Sequence, residues 1–170
     1  MIKNTDGLKV KIEQQNEELV IHLNGFVDED AEFSNETPEG VRKIIIDFEN
    51  VKLINSCGLR TWVTWVKALE GRVQIVFRNC HRNIVDPINI LEGFMPAGTL
   101  LESMYVPYAC DSCDYEEEIL YVRGQDFLEG RADSPETNNI PETFECPKCG
   151  DSMEMDILPS KFFKFLKYRS

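Results

Sequence analysis

No stretch of about 18 consecutive apolar residues occurs in this chain, so no membrane-spanning helix is expected. The first residues, MIKNTDGLKVKIEQ, lack the apolar core that a secretory signal needs, which points to a soluble, cytoplasmic protein. Histidine is scarce, at two residues. There is no glycine-rich phosphate loop, no Ser/His/Asp set and no plausible carboxylate pair, so no enzyme is expected. Positive charge is short as well. Eighteen Lys and Arg face 30 Asp and Glu, for a net charge of −12 and a pI near 4.6. Duplex binding draws its affinity from basic groups on phosphate, so nucleic acid is a disfavoured partner. What is present is globular: 42% hydrophobic and 28% charged residues over 170 positions, enough for one domain or one domain with a small appendage.

The charge is unevenly placed. Residues 1–109 carry 11 basic and 16 acidic groups, residues 110–160 carry 3 and 14, and the tail 161–170 carries four basic groups and no acidic one. A break is therefore expected near Ala109/Cys110, followed by a small acidic unit and a basic tail.

Four of the six cysteines lie in that acidic unit as two pairs, Cys110-x-x-Cys113 and Cys146-x-x-Cys149, with 32 residues between the pairs. A C-x-x-C turn can put two sulfurs on one ion, and two such turns complete a tetrahedral S4 set suited to Zn2+. Pro147 fixes one φ in the second turn, and Gly150 permits a left-handed residue after it. In the first turn Asp114 stands at the position of that glycine, which it tolerates less well. A secreted disulfide scaffold and a thioredoxin-like pair both fit less well. Four sulfur ligands leave no open position, so one structural zinc ion is expected to fold residues 110–158 as a zinc ribbon. Tyr115–Val122 and Met153–Leu158 are its expected strands, with a long mobile loop over residues 124–143.

Within residues 1–109, Leu8–Gln14 and Glu18–Val27 alternate like strands joined by a turn at Asn16-Glu17. His22 falls on the polar side and reads as an ordinary exposed histidine. Residues 28–41 leave room for a short helix or a loop. Lys43–Phe48 reads as a buried strand, Asn50–Ser56 as a turn, and Cys57–Glu70 as a helix capped by Asn55 or Ser56. Its inward stripe is expected to be Leu59, Trp62, Val63, Val66 and Leu69. Trp65 sits at the margin of that stripe, half-buried or free to anchor a partner. A strand at Arg72–Arg78, a helix at Asn83–Leu91 kinked or restarted at Pro87 with Asp86 as cap, and a strand at Leu100–Tyr108 follow. The order predicts an α/β fold with a mixed β-sheet and helices on one side.

The stretch IDFENVKLINSCGLRTWV, residues 46–63, resembles the signature of STAS domains, the sulfate-transporter and anti-sigma-factor-antagonist family. The resemblance spans roughly residues 8–109 and implies a STAS-like mixed sheet, with the zinc ribbon as a small insertion. In the bacterial anti-anti-sigma proteins of this family, an anti-sigma or kinase partner phosphorylates a serine at the helix start. Carried over, the family's aspartate falls on Asn55, its first serine on Ser56 and its phosphoserine on Cys57, a thiol that a Ser/Thr kinase does not modify. Ser56 or Thr61 remains as an acceptor, or the site is a constitutive docking surface. The resemblance also implies a last helix closing the sheet, for which residues 159–170 are the candidate; packing on the ribbon is the alternative.

The expectation is therefore a non-catalytic, signalling protein–protein interaction module whose partner surface is Asn55, Ser56, Cys57, Thr61 and Trp65. Burial of Thr61 and Trp65 would count against that surface. Two other readings stand beside it: a transcription-associated nucleic-acid binder using the ribbon, and a thiol sensor at Cys57, for which the plainer account is a buried inert thiol. Formation of a homo-oligomer is left open.

Overall fold

The computed structural model describes residues 1–168. The chain forms two compact units, Met1–Glu102 and Ser103–Ser170, each with its own sheet.

In the first unit, β1 (Leu8–Gln15) and β2 (Glu18–Val27) form an antiparallel hairpin. Asn16 makes the tight turn with φ 53°, a conformation asparagine tolerates better than most side chains. β3 (Lys43–Ile54), β4 (Gln74–Arg78) and β5 (Leu100–Leu101) then add in sequence order, each parallel to the strand before it. Parallel neighbours need crossovers, and α1 (Ser56–Leu69) and α2 (Arg82–Ile90) supply them. The mixed α/β sheet expected from the sequence is thus observed.

The sheet's helix-facing side carries Leu19, Ile21, Leu23, Ile44, Ile46, Phe48, Ile75 and Phe77, all buried. Trp62 of α1 sits on them, with ring centroids 5.5 Å from Phe48 and 5.8 Å from Phe77. Its Nε1 donates to the Phe94 carbonyl at 3.0 Å, so the turn after α2 packs on the same side. Each aromatic pair of this kind adds about 1 kcal/mol beyond its buried area.

Several boundaries differ from the sequence reading. The expected turn at Asn50–Ser56 is strand as far as Ile54. Register shifts between His22 and Asn24 and between Gly25 and Phe26 let β2 and β3 stay paired up to Val27 and Ile54. Residues 28–42 contain no helix; Phe33 bridges Ile2 instead. β4 begins at Gln74, two residues later than expected. α2 runs through Pro87 without a restart. Its N-cap is His81, and Asp86 pairs with Arg82 at 3.3 Å rather than capping.

The expected strand Leu100–Tyr108 is two strands in two sheets. β5 ends at Leu101, Glu102 gives its N–H to the Phe77 carbonyl, and β6 (Ser103–Cys110) belongs to the second unit. The unit boundary thus precedes the compositional break by seven residues.

The second unit pairs β6 with β7 (Tyr115–Val122) and with β11 (Ser152–Met155), and β11 with β10 (Thr143–Glu145). Alternate residues Met104, Val106, Tyr108 and Cys110 of β6 are buried. The Tyr108 hydroxyl lies 2.9 Å from that of Tyr121 and donates to the Pro141 carbonyl at 2.7 Å. Residues 124–143 are more ordered than a plain loop. They contain the short antiparallel pair β8 (Phe127–Leu128) and β9 (Thr137–Asn138), with Phe127 and Ile140 buried. β11 stops at Met155, three residues short of the expected strand end.

The C-terminal segment is not one helix. α3 (Pro159–Phe162) and a 3-10 turn at Lys164–Leu166 are separated by Phe163. Within the second unit, the Phe165 ring lies 6.4 Å from Phe127, and the Leu166 carbonyl accepts from the Gly130 N–H. Arg169 and Ser170, the end of the expected helix, lie outside the described residues.

Candidate functional site

The four-cysteine centre is built by two hairpins lying side by side. The turn from β6 to β7 carries Cys110 and Cys113, and the turn from β10 to β11 carries Cys146 and Cys149. Because β11 pairs with β6, with Glu154 opposite Ala109, both turns reach the same end of the sheet. The Asp114 N–H donates to the Cys110 carbonyl at 2.9 Å, and the Gly150 N–H donates to the Cys146 carbonyl at 2.9 Å.

The four sulfurs lie within 4.8 Å of one another. Cys110 and Cys149 approach to 3.5 Å, and Cys113 and Cys146 to 3.7 Å. These separations are far beyond a sulfur–sulfur bond, and all four are free thiols. Burial pushes the Cys146 thiol up, but the N–H groups of Cys149 and Lys148 and the neighbouring thiols outweigh it and lower the pKa to about 7. The set has the donor chemistry and compactness to hold a metal ion.

The second region is the start of α1. Asn55 caps it, its Oδ1 accepting from the Gly58 N–H at 2.9 Å, a contact worth about 1 kcal/mol. The Asn55 Nδ2 donates to Glu29 at 2.7 Å, and its backbone N–H donates to the Val27 carbonyl. A Cβ at residue 58 would run into that carbonyl, so Gly58 lets the helix start against the end of β2.

Ser56 and Cys57 are exposed and Thr61 is half-buried, its hydroxyl donating to the Cys57 carbonyl. Cys57 is therefore not the buried thiol considered above. Outside the four-cysteine cluster, the buried thiol is Cys80, whose pKa is raised by burial and by the charge of Asp47.

Trp65 is 2% exposed and offers no anchor. The buried stripe of α1 is Gly58, Trp62, Trp65, Val66 and Leu69, rotated from the expected one, with Leu59 and Val63 only partly covered. The cause is the irregular segment before β3. Phe33 lies 5.2 Å from the Trp65 ring, and the Ser34 carbonyl accepts from Trp65 Nε1 at 3.1 Å. Asn55, Ser56, Cys57 and Thr61 lie together at the helix start, while Trp65 belongs to the core.

Two residues absent from the expected surface stand near it. Phe26 and Leu53 face each other in register, 42% and 52% exposed, one residue before the Val27–Ile54 pair that precedes α1. Lys52 Nζ lies 5.9 Å from the Phe26 ring centroid. The alternation of β2 carried this signal, since Leu19, Ile21, Leu23 and Val27 point inward and Phe26 must point out.

On the sheet face opposite the helices, His22, Asp47 and Arg78 form a cross-strand row. Asp47 is buried. Its carboxylate accepts from the Arg78 guanidinium at 3.0 Å, from Asn79 at 3.0 Å and from the Glu49 N–H at 3.0 Å. His22 Nδ1 lies 3.2 Å from the same carboxylate, so this histidine is half-buried and engaged rather than idle. Burial would raise the Asp47 pKa, but these donors and the Arg78 charge hold it below the ordinary value.

Among the described residues, no helix is long and apolar enough to cross a membrane. No protein-family model matches the chain, and no curated protein matches it.

Proposed function

We propose that this protein is a non-catalytic binding module, a STAS-like domain carrying a zinc ribbon, that docks a signalling protein through the start of α1. The observation that carries the reading is the junction of β3 and α1. A parallel strand feeds the helix-capping Asn55, the next two residues, Ser56 and Cys57, stand exposed, and the paired strand residues just before them in the chain, Phe26 and Leu53, leave apolar surface exposed as well. Exposed aromatic and aliphatic groups beside polar ones are what a protein partner buries at the centre of an interface. The element order and the NSCGL turn support the likeness to anti-sigma-factor antagonists. An exposed hydroxyl at Ser56 supports phosphorylation there as the switch, since added charge at the patch would repel an acidic partner face or recruit a basic one.

Zinc is the reading for the metal. A tetrahedral ion with bonds of about 2.3 Å sets its sulfurs about 3.8 Å apart. The separations of 3.5 and 3.7 Å come close to that value, and an all-thiolate set favours zinc among common intracellular ions. The ion's work is structural. It ties two hairpins whose sheet is otherwise four short or half-exposed strands.

The test is affinity capture with the full chain against Leu53→Glu, which removes the apolar patch without touching the core. Proteins retained by the native chain and lost with the variant are the expected result. Equal retention by both would remove this surface from consideration.

A further inference from the structure

β1 is an edge strand: in the five-stranded sheet it pairs with β2 alone. The hairpin fixes which of its backbone groups point outward. Gln15 and Glu18 flank the two-residue turn and so exchange hydrogen bonds, and the pairs Glu13–Val20 and Lys11–His22 repeat that arrangement along the antiparallel ladder. The N–H and C=O groups of Leu8, Val10, Ile12 and Gln14 therefore face away from β2. The first two of these residues are capped from within the chain. The Leu8 N–H donates to the Thr5 hydroxyl at 3.0 Å, the Leu8 carbonyl accepts from the Thr5 N–H at 2.8 Å, and the Val10 N–H donates to the Asn4 side-chain oxygen. Beyond that point the edge is open. Among the described residues no backbone group pairs with the outward groups of Ile12 and Gln14.

Open edges invite pairing, and proteins commonly blunt them with charge, lysine above all. β1 carries Lys9 and Lys11 on the face opposite the helices, but the same face carries Glu13, whose carboxylate lies 2.5 Å from Lys11 Nζ. Both side chains of that pair are solvent-accessible. On the helix-facing side Ile12 is 40% exposed, although Ile21 opposite it is fully buried. This pattern is complementary to itself. If two copies pair antiparallel about a two-fold axis at Ile12, Ile12 meets Ile12, Lys11 meets the second copy's Glu13, and Glu13 meets the second copy's Lys11. The backbone suits the same register. A hydrogen-bonded pair on the axis needs a residue whose N–H and C=O point outward, and Ile12 is such a residue. The Gln14 N–H then reaches the second copy's Val10 carbonyl, and Asn4, on the Val10 N–H, ends the ladder there.

We infer that the open half of β1 binds a second copy of this chain, joining two sheets edge to edge as a two-fold dimer. Such an interface uses the same patch twice and closes on itself. The other edges offer no equivalent. β5 has two residues, and a contact between β1 and β5 would not close. β7 carries three glutamates and no basic residue, so self-pairing there would gather like charges. The paired stretch is short, which sets the dimer at the weak end, with a Kd on the order of 1–100 μM. The inference goes beyond the protein-docking function and does not depend on it. Phe26 lies past the Gly25–Leu8 pair, at the capped end of β1.

The experiment is sedimentation velocity of the full, metal-loaded chain from about 1 to about 500 μM, spanning the expected Kd. The native chain should pass from monomer to dimer over that range, and amide exchange at Ile12 and Gln14 should slow as the dimer forms. Lys11→Glu sets glutamate against Glu13, and Glu13→Lys sets lysine against Lys11, so each alone should weaken the dimer about tenfold or more. The double variant Lys11→Glu, Glu13→Lys restores opposite charges and should recover the native strength, and an equal mixture of the two single variants should form a mixed dimer. Both side chains are solvent-accessible, and unchanged emission from Trp62 and Trp65 will show the first unit intact. A chain that stays monomeric throughout overturns the inference. So do assemblies that grow beyond the dimer, a dimer that neither single substitution weakens, or single-variant losses that the double variant does not repair.

Discussion

Asp114 and Gly150 occupy equivalent places in the two C-x-x-C turns. Each follows the second cysteine of its pair, each has a positive φ, 56° and 83°, and each gives its N–H to the carbonyl of the first cysteine at 2.9 Å. The two turns are therefore the same device built with different residues. Glycine enters this conformation freely, whereas Asp114 holds it at a cost of about 1 kcal/mol. Asp114→Gly is expected to stabilise the second unit by about that amount, and Gly150→Ala to destabilise it by about 1–2 kcal/mol. Thermal unfolding of the metal-loaded protein reads both. A destabilising Asp114→Gly would show that the carboxylate has a role the turn geometry does not explain.

Metal removal gives a second prediction. If one zinc ion organises the hairpins, its binding free energy is folding free energy for residues 103–155. Metal analysis should find about one zinc per chain, and none after Cys146→Ser with Cys149→Ser. Chelation should abolish amide-exchange protection in β6, β7 and β11. Protection that persists in the metal-free chain would mean that Tyr108, Tyr121 and Met153 hold the sheet without help.

The burial of Trp65 separates core from surface on α1. Trp65→Ala is expected to cost about 3–5 kcal/mol in urea unfolding, because it empties the space beside Phe33 and Trp62 and removes the indole hydrogen bond to the Ser34 carbonyl. Leu53→Glu, on an exposed strand position, should move stability by no more than about 0.5 kcal/mol. The reverse ranking would make Leu53 the structural residue.

Much of this was legible in the residues. The alternation of β1 and β2 marked those strands, the Asn16 turn joined them, and the paired C-x-x-C turns named the four cysteines that cluster closely enough to hold a metal ion. What was hidden depends on contacts between distant segments. The β3 extension over Asn50–Ile54 looks like a polar turn until the register shifts of β2 supply its partner. Trp65 lies where a rotation of the helix by a fraction of a turn decides its side, and Phe33, 32 residues earlier, decided it. The run Leu100–Tyr108 reads as one strand because nothing local shows that its two halves join different sheets. The tail reads as one helix because Phe162, Phe163, Phe165 and Leu166 suit either a helix or the two short turns observed.

Asp47 sets an acid limb of stability. Its folded pKa lies below the ordinary carboxyl value near 3.8, so its contribution is present above that value and is lost as the pH falls through the lower, folded one. Asp47→Asn should cost about 1–3 kcal/mol at neutral pH, since Arg78 loses the nearer of its two charged partners. The variant should also flatten the loss of stability below pH 4, which urea unfolding at several pH values will show. An unchanged acid limb would place the titrating group elsewhere.

The central claim is that the β3–α1 junction is a protein-docking surface. Quantitative comparison of proteins captured by the native chain and by a Leu53→Glu, Ser56→Glu double variant tests it most directly, with Trp emission confirming that both are folded. The account predicts at least one partner enriched by the native chain and reduced about tenfold or more by the variant. The same set of proteins bound equally by both, or a small-molecule substrate turned over by the purified chain, would contradict it.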